Sequence, residues 1–456
     1  MERQFDAVVV GGGSAGEVAA AKLADAGSSV ALVERELIGG ECPYWACMPA
    51  KALLRPGRVL AEARKVPGVR RLLDAAIDVE EVLHRRNELA SFWEDSAQES
   101  WLDEQGIELV RGRGHFAGLQ RVAVGDDVLE AEQAVIIATG SRTATPPIDG
   151  IDDVKLWDNR QVMSAQDVPS RMLIIGGGAV GVESAQAWRR LGADEVTVVE
   201  SAERLLPSEE PFASTELEEA LRQEGIHVII DGEVAGFSPG DPATAIAHIS
   251  DGREIATDVV VSAAGRRPAT GDLGLEAIGL EPGTPIQTDE SMRSVDHPDW
   301  LYAVGDVTGN DLFTHMGKYE ARIAANSILG RDDDNVTTGR RAVPRVVFTD
   351  PIVAAVGHTE ATAKTAGIDV ETRFASISDQ AEASIWGKDV KGSAKLVLDR
   401  GKSTVIGATF TGPAPLVELV SSVQIAIITG APLELLAHVV PQFPSFSEVW
   451  LDLLDT

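Results

Sequence analysis

Asp6-Ala7-Val8-Val9-Val10-Gly11-Gly12-Gly13-Ser14-Ala15-Gly16 decides the fold. A β-rich apolar run ends in Gly11-x-Gly13-x-x-Gly16. Gly16–Ala26 then carries alanines and Leu23 at helical spacing, and Ser29–Glu34 is apolar again. Strand, glycine turn, helix, strand is a βαβ unit, and it implies parallel strands. The three glycines permit a tight turn, close approach of a pyrophosphate and tight helix–strand packing. The helix N-terminus favours phosphate charge, and Glu34, closing the second strand, is placed to bind a ribose hydroxyl. The stretch predicts a bound dinucleotide.

The pattern returns. Met172–Ile175 leads into Gly176-x-Gly178-x-x-Gly181, a helix runs to Leu191, and Glu195–Glu200 ends on a second acid. Two fingerprints 165 residues apart mean a duplicated nucleotide-binding unit and two dinucleotides. One flavin and one nicotinamide is the economical pair, because a flavin passes electrons from a hydride donor to another acceptor. Glu200 favours NAD(H) over NADP(H), since a carboxylate accepts from a free 2′-hydroxyl and repels a 2′-phosphate. Arg204, four residues on, keeps NADP(H) as the alternative. Between the two units Val59–Glu104 reads as helical and Ile107–Glu132 as short strands. After the acidic run Arg331–Asn335 and Pro344, strands and amphipathic helices form a separate α+β region. The apolar run Pro415–Ala437 reads as helix.

The 456 residues carry a formal charge of −31 and 44% hydrophobic residues. Large cores are expected, and nucleic acid or anionic membrane surfaces are not expected as partners, since both need basic patches. No secretory leader and no run of about 18 apolar residues is read. A soluble cytoplasmic protein is expected, with no metal site. There are two cysteines, Cys42 and Cys47, too few for a disulfide scaffold. In a regular helix, residues five apart have Cα atoms roughly 8.7 Å apart, whereas a disulfide needs about 4.4–6.8 Å. If the two are bridged, Cys42 must sit on an irregular turn leading into the helix; otherwise they are two buried, inert thiols. Gly39-Gly40 and Pro43 suit the turn.

With these motifs the chain resembles the class I pyridine nucleotide–disulfide oxidoreductases, which include dihydrolipoamide dehydrogenase, glutathione reductase, mycothione reductase and mercuric reductase. Ala138-Thr139-Gly140-Ser141 looks like that family's crossing from flavin to nicotinamide domain, and Ala264-Gly265-Arg266-Arg267-Pro268 like the return. Ala303-Val304-Gly305-Asp306 looks like its second flavin motif, and Val347-Phe348-Thr349-Asp350-Pro351 like the opening of its dimerisation domain. The resemblance implies an α/β protein with two Rossmann-like domains and a C-terminal α+β dimerisation domain. Its implied boundaries are 1–149 (FAD), 150–268 (NAD(P)), 269–335 (completing the FAD site) and 336–456 (dimerisation). It implies FAD at Gly11, Gly13, Gly16, Glu34, Thr139, Gly140, Gly305 and Asp306. It implies the nicotinamide nucleotide at Gly176, Gly178, Gly181 and Glu200. Cys42 would be the interchange thiol, Cys47 the thiol facing the flavin, and Lys51 with Glu183 an ion pair at flavin N5. A homodimer is implied.

The sequence also departs from that family. Where its disulfide reductases carry a histidine in a His-Pro-Thr-x-Ser-Glu-like segment, this chain reads Gln442-Phe443-Pro444-Ser445-Phe446-Ser447-Glu448. Phenylalanine transfers no proton, and general acid–base help is worth about 10²–10⁴-fold. Glu448, desolvated beside Phe443, is the expected substitute base, with His438 and Tyr44 as other residues to examine. Tyr44 and Trp45, between the cysteines, either stack on a planar acceptor or pack the helix. The leading reading is an NAD(P)H oxidoreductase exchanging electrons with a small disulfide or dithiol. The alternatives are direct reduction of a quinone or other planar acceptor at the flavin, a mercuric reductase-like activity, and a flavin-binding protein without turnover. The mercuric reading is disfavoured because the chain shows no C-terminal cysteine pair.

Overall fold

The computed structural model describes residues 1–70, 76–241, 244–331 and 339–455. In it the first fingerprint lies between the strand Glu2–Val10 and the helix Ser14–Asp25, and Val30–Glu34 returns parallel to the first strand. Val8, Val9 and Val10 are all buried, as expected of a central parallel strand covered on both faces. The chain divides into two compact units. One comprises Met1–Pro49, Arg86–Ala144 and Gly265–Thr337; the other comprises Ala50–Arg85, Thr145–Ala264 and Thr338–Thr456.

In the first unit the sheet runs Glu108–Arg111, Val30–Glu34, Glu2–Val10, Asp127–Ile137, Arg121–Val124, Gly114–Gly118, and Leu301–Ala303 also pairs with Asp127–Ile137. The first four strands are parallel; the last two form an antiparallel flap. Ala19, Ala20 and Leu23 pack with Ala321, Ala324 and Ala325 of the helix Thr314–Ile328 over one sheet face. Phe116, Leu275 and Trp300 cover the other. Ser141–Thr143 pairs antiparallel with Arg266–Pro268, so the two motifs read as crossing and return form one ribbon.

In the second unit a parallel sheet runs Ile226–Ile229, Glu195–Val199, Arg171–Ile175, Val259–Ser262, Leu156–Trp157. The helix Ala179–Leu191 buries Trp188 completely against it. The C-terminal part is a five-stranded antiparallel sheet with the helices Leu419–Thr429 and Val449–Leu454 on a core that includes Phe410, Val423, Phe446 and Trp450. The region 59–104 is helical where described, in Cys47–Lys65, Val79–Leu89 and Ser96–Glu104. The run 415–437 is not one helix. Gly430 takes φ 59° at the end of Leu419–Thr429, and Pro432 then starts a separate turn. A left-handed glycine followed by proline is a helix stop, and it overrides the apolar pattern. Most of the acidic run after Arg331, and the expected boundary at 335/336, lie outside the described residues. Among the described residues no helix is long and apolar enough to cross a membrane.

Candidate redox site and nucleotide cradles

Both fingerprints build the same cradle. Gly11 has φ +109° and Gly176 φ +108°, and a Cβ at either would lie 2.4 Å from the carbonyl oxygen of Ala138 or Ala263. Only glycine fits either position. Glu34 accepts from the N–H of Gly12 at 2.7 Å and of Glu36 at 2.6 Å. Glu200 accepts from Gly177 at 2.6 Å and Ala202 at 2.7 Å. Each carboxylate is thus fixed at the tip of its second strand with acceptor capacity left for a ribose. Gly13 and Gly178 cap their helices without a side chain. A Cβ on Gly13 would meet only the Gly40 Cα, at 3.9 Å, and one on Gly178 would meet nothing within 4 Å. Open space before two uncapped helix starts fits a pyrophosphate on each. Arg204 is turned away: its Nη2 donates to the carbonyls of Pro207 at 2.6 Å and Glu209 at 3.3 Å.

The first unit adds more polar groups. The Thr139 hydroxyl is buried with no hydrogen-bond partner among the described residues, next to Gly140 at φ +70°. A buried orphan of this kind calls for a ligand or water. Asp306 accepts from Ser141 Oγ at 2.5 Å. That hydroxyl accepts from Arg266 Nε at 2.6 Å, and Arg266 Nη2 donates to Glu41 at 2.5 Å. Gly305 N–H donates to the buried Glu320 at 2.7 Å.

The cysteines do not lie on a turn leading into one helix. Glu41–Trp45 is a short helix of its own, Ala46 breaks it at φ −141°, ψ −97°, and Cys47 opens the next, Cys47–Lys65. The break brings the sulfurs to 2.6 Å, with Cys42 donating to Cys47. A small movement makes a disulfide of about 2.03–2.05 Å. Cys47 Sγ is 3.4 Å from Thr314 Oγ1. The segment is anchored to the first cradle: Gly39 N–H donates to Gly12 O at 2.7 Å, and a Cβ on Gly40 would meet the Gly13 Cα at 2.8 Å. Tyr44 is fully buried, Trp93 Nε1 donates to its carbonyl at 3.2 Å, and its ring lies 5.6 Å from that of Trp45. Tyr44 therefore packs the loop.

The Cys42 thiol is pushed up, first by its hydrogen bond to Cys47, then by burial and by charge on Cys47; Thr314 and Lys318 pull it down. Burial pushes Glu17 up to about 7, while Lys318 pulls it down and Glu34 pushes it up.

In the second unit Lys51 Nζ donates to Glu183 Oε2 at 2.7 Å and lies 4.8 Å from the Phe348 ring centre. Glu183 is 5% exposed and also accepts from the Phe348 N–H at 2.8 Å. Glu448 accepts from the Ser445 N–H at 3.3 Å in a capping box before Val449–Leu454. Phe443 is 77% exposed in the single chain and His438 is exposed.

Residues 5–327 match the family model described as pyridine nucleotide-disulphide oxidoreductase, and 343–453 match that family's dimerisation domain. The chain belongs to this family. As a pyridine nucleotide-disulphide oxidoreductase it is 31% identical over 459 residues to dihydrolipoyl dehydrogenase of Halobacterium salinarum, covering 98% of this chain and 95% of that one. It is also 31% identical over 410 residues to mercuric reductase of Staphylococcus aureus, covering 89% and 74%. Among solved structures it is similar to the HOCl-induced flavoprotein disulfide reductase RclA from Escherichia coli, with TM-score 0.86, 27% identity and 99% of both chains covered. A Cu(II) complex of an RclA mutant gives the same values. Enzymes of this family use FAD and NAD(P)H.

Several residues of this oxidoreductase escape the sequence reading: Thr314 beside Cys47, Glu41 as partner of Arg266, and Phe348 as partner of Glu183. The helix opening eight residues after Asp306 was the available signal for Thr314.

Proposed function

We propose that this chain is a homodimeric FAD-dependent oxidoreductase that takes a hydride from NADH and delivers two electrons through Cys42 and Cys47 to a small disulfide. The reverse direction oxidises a dithiol. The single observation that carries the reading is the Cys42–Cys47 pair at 2.6 Å, anchored by Gly39 and Gly40 to the first cradle. We assign 1–149 and 269–335 to FAD, 150–268 to the nicotinamide nucleotide and 336–456 to the dimer. Val440, 90% exposed, with Ile425, Leu435 and Phe443, offers the dimer its apolar surface.

Bound FAD supplies the two-electron relay between hydride donor and thiols. Gly11, Gly13 and Gly16 admit its pyrophosphate, Glu34 takes a ribose hydroxyl, the Thr139 hydroxyl and Gly140 line the site, and Gly305 with Asp306 holds the ribityl chain. Gly176, Gly178, Gly181 and Glu200 would hold NADH: the Glu200 carboxylate accepts from a free 2′-hydroxyl and repels a 2′-phosphate, and Arg204 Nη2 is directed at the Pro207 carbonyl. Lys51, fixed by Glu183, stabilises developing negative charge. The reduced Cys42 thiolate attacks one sulfur of the acceptor and expels a thiolate. Cys47 then attacks the mixed disulfide, re-forms the Cys42–Cys47 bond and expels the second thiolate. The balance is NADH + H⁺ + RSSR → NAD⁺ + 2 RSH.

Phe443 favours a second reading, because no proton donor stands at that position. A thiophilic metal ion, as in the Cu(II) complex of the similar RclA, needs no protonated leaving group. Two Cu(II) would take the two electrons of the dithiol and leave two Cu(I), two protons and the disulfide. Anaerobic titration with NADH and NADPH, followed by small disulfides, a quinone and Cu(II), tests these readings. The proposal expects flavin bleaching with NADH, a long-wavelength thiolate–flavin band, and reoxidation by a disulfide that Cys42→Ser abolishes. Reoxidation by quinone alone, unaffected by Cys42→Ser, overturns it.

A further inference from the structure

Four arginines gather on one face of the first unit. Ser141–Thr143 pairs antiparallel with Arg266–Pro268, and the register sets Arg142 directly opposite Arg267. Side chains alternate along a strand, and directly opposed residues share a face. Ser141 and Arg266 face one way: Arg266 Nε donates to Ser141 Oγ at 2.6 Å, and that hydroxyl donates to Asp306. Arg142 and Arg267 therefore share the other face, with Cβ atoms about 4.5–5.5 Å apart. There Arg142 Nη2 donates to Asp272 Oδ2 at 3.0 Å. The same oxygen accepts from Arg113 Nη1 at 2.6 Å and from Arg35 Nη1 at 3.3 Å.

The cluster is not charge-balanced. Its carboxylates are Asp272 and Glu36, the latter 3.6 Å from Arg35, so four guanidiniums face two carboxylates. Arg267 is exposed and forms no ion pair among the described residues. Other ion-pair groups of this chain are balanced or acid-rich: Arg111 meets Asp95 and Glu99, Arg190 meets Glu224 and Asp350, and Lys395 with Lys364 meets Glu210 and Glu360. Like charges placed directly opposite on paired strands cost stability, and a bound anion would offset that cost. Three guanidiniums converging on one oxygen is the geometry that recognises carboxylate and phosphate oxygens. Each donates one N–H to Asp272, and a guanidinium carries five. We propose that Arg35, Arg113, Arg142 and Arg267 form a binding site for a small phosphate-type oxyanion, with Asp272 holding the first three guanidiniums together. A compact anion fits better than an acidic protein surface. Exposed charges further apart than the Debye length, about 8 Å at physiological ionic strength, are largely screened. A small ligand thus feels the local positive excess, whereas a large acidic partner also meets a body of net charge −31. Neither cysteine enters this site.

The test is calorimetric titration of the FAD-loaded protein with pyrophosphate at low salt, with NAD⁺ saturating so that the second cradle is filled. The parent should bind pyrophosphate saturably, and added salt should weaken it. The double variant Arg142→Gln/Arg267→Gln should weaken binding at least about tenfold, since hydrogen bonds to charged groups are the strong ones. Asp272→Asn keeps an acceptor oxygen but removes the competing charge, and should tighten binding about three- to tenfold. Arg253→Gln, at an exposed arginine of the second unit that pairs with Asp251, should change nothing. Should the double variant fail to retain FAD, Arg113→Gln repeats the test at a side chain that is 62% exposed, with a loss of about three- to fivefold. Orthophosphate in place of pyrophosphate separates the two sources: equal affinity assigns one phosphate group, and a preference for pyrophosphate assigns two linked ones. The inference is overturned by no saturable binding in the parent, by an equal loss in Arg253→Gln, or by affinity unmoved in the Arg142/Arg267 and Arg113 variants. Binding of a polyglutamate peptide in preference to either phosphate overturns it too.

Discussion

Replacing Glu183 by glutamine isolates the contribution of the Lys51–Glu183 pair. The carboxylate is 5% exposed and holds two donors, Lys51 Nζ at 2.7 Å and the Phe348 N–H at 2.8 Å. Glutamine keeps the volume and still accepts from Phe348, but it presents neutral oxygen or an N–H₂ donor to the ammonium. A hydrogen bond to a charged group is worth about 1.5–3 kcal/mol. Breaking a fully buried pair costs about 3–5 kcal/mol. Lys51 is 35% exposed and can turn to water, which places the loss near the lower figures, at about 2 kcal/mol. At roughly 2–4 °C per kcal/mol for a large domain, Tm should fall by about 4–8 °C. Glu183→Ala also strands the Phe348 N–H, and an unsatisfied buried donor costs a further ~1–3 kcal/mol. Stopped-flow reduction by NADH should slow at least about tenfold in Glu183→Gln, because the charge at Lys51 is no longer held in place. A double-mutant cycle with Lys51→Met should return a coupling of about 1–2 kcal/mol. A Tm within 1 °C of the parent together with a reduction rate within about twofold would refute the reasoning.

Other outcomes can be checked on the same protein. Cys42→Ser should lose disulfide turnover by at least about 10³-fold while keeping NADH-driven flavin bleaching; Cys47→Ser should lose the long-wavelength band, and a band that survives it contradicts the assignment. Glu200→Gln should lower kcat/KM for NADH about tenfold and leave NADPH little changed, since one charge-assisted bond to the ribose diol is weakened; an unchanged preference contradicts the role given to Glu200. Glu17 has a folded-state pKa of about 7 against 4.5 for the free side chain, so the unfolded chain sheds its proton first, and stability falls between pH 4.5 and 7 and stays low above. Glu17→Gln should therefore stabilise by roughly 2–3 kcal/mol at pH 8 and by nothing near pH 4.5; equal Tm differences at pH 5 and pH 8 would count against it.

The glycine fingerprints were legible because each is local. Gly11 and Gly176 meet a backbone carbonyl that only glycine clears, and the acid ending each second strand is fixed by the N–H of the second glycine. The cysteine pair was legible as a pair but not in its geometry. Nothing about Ala46 announces a helix break, which follows from the Gly39-Gly40 anchor on one side and the long helix on the other. The end at Gly430 was written in the sequence and masked by an apolar run on both sides. Lys51 and Glu183 lie 132 residues apart, and no periodicity joins them; only the family resemblance did. Thr314 was out of reach for the same reason, since its contact with Cys47 joins residues 267 apart.

The duplicated unit also explains why the cysteine pair, the proposed redox centre, lies at one cradle and not the other. Both cradles fix their acid in the same way and open the same space before a helix. They diverge immediately after the acid. Beyond Glu200 the chain turns to Ala202 and Arg204, whose Nη2 donates to the carbonyls of Pro207 and Glu209. That segment closes on itself and brings no cysteine back to the second cradle. Beyond Glu34 the chain comes back instead. Gly39 donates to Gly12, and Gly40 approaches Gly13 so closely that a Cβ on Gly40 would lie 2.8 Å from the Gly13 Cα. That contact pins the start of the Glu41–Trp45 helix onto the first glycine loop, and the break at Ala46 then folds Cys47 back onto Cys42. The cysteine pair therefore sits beside the first glycine cradle because Gly40, with no side chain, lets backbone lie on backbone. Gly40→Ala tests this step: it should displace the Cys42 helix from the loop, and with it weaken both FAD retention and the thiolate–flavin band. Gly178→Ala, which meets nothing within 4 Å, should leave the band intact and affect NADH binding alone.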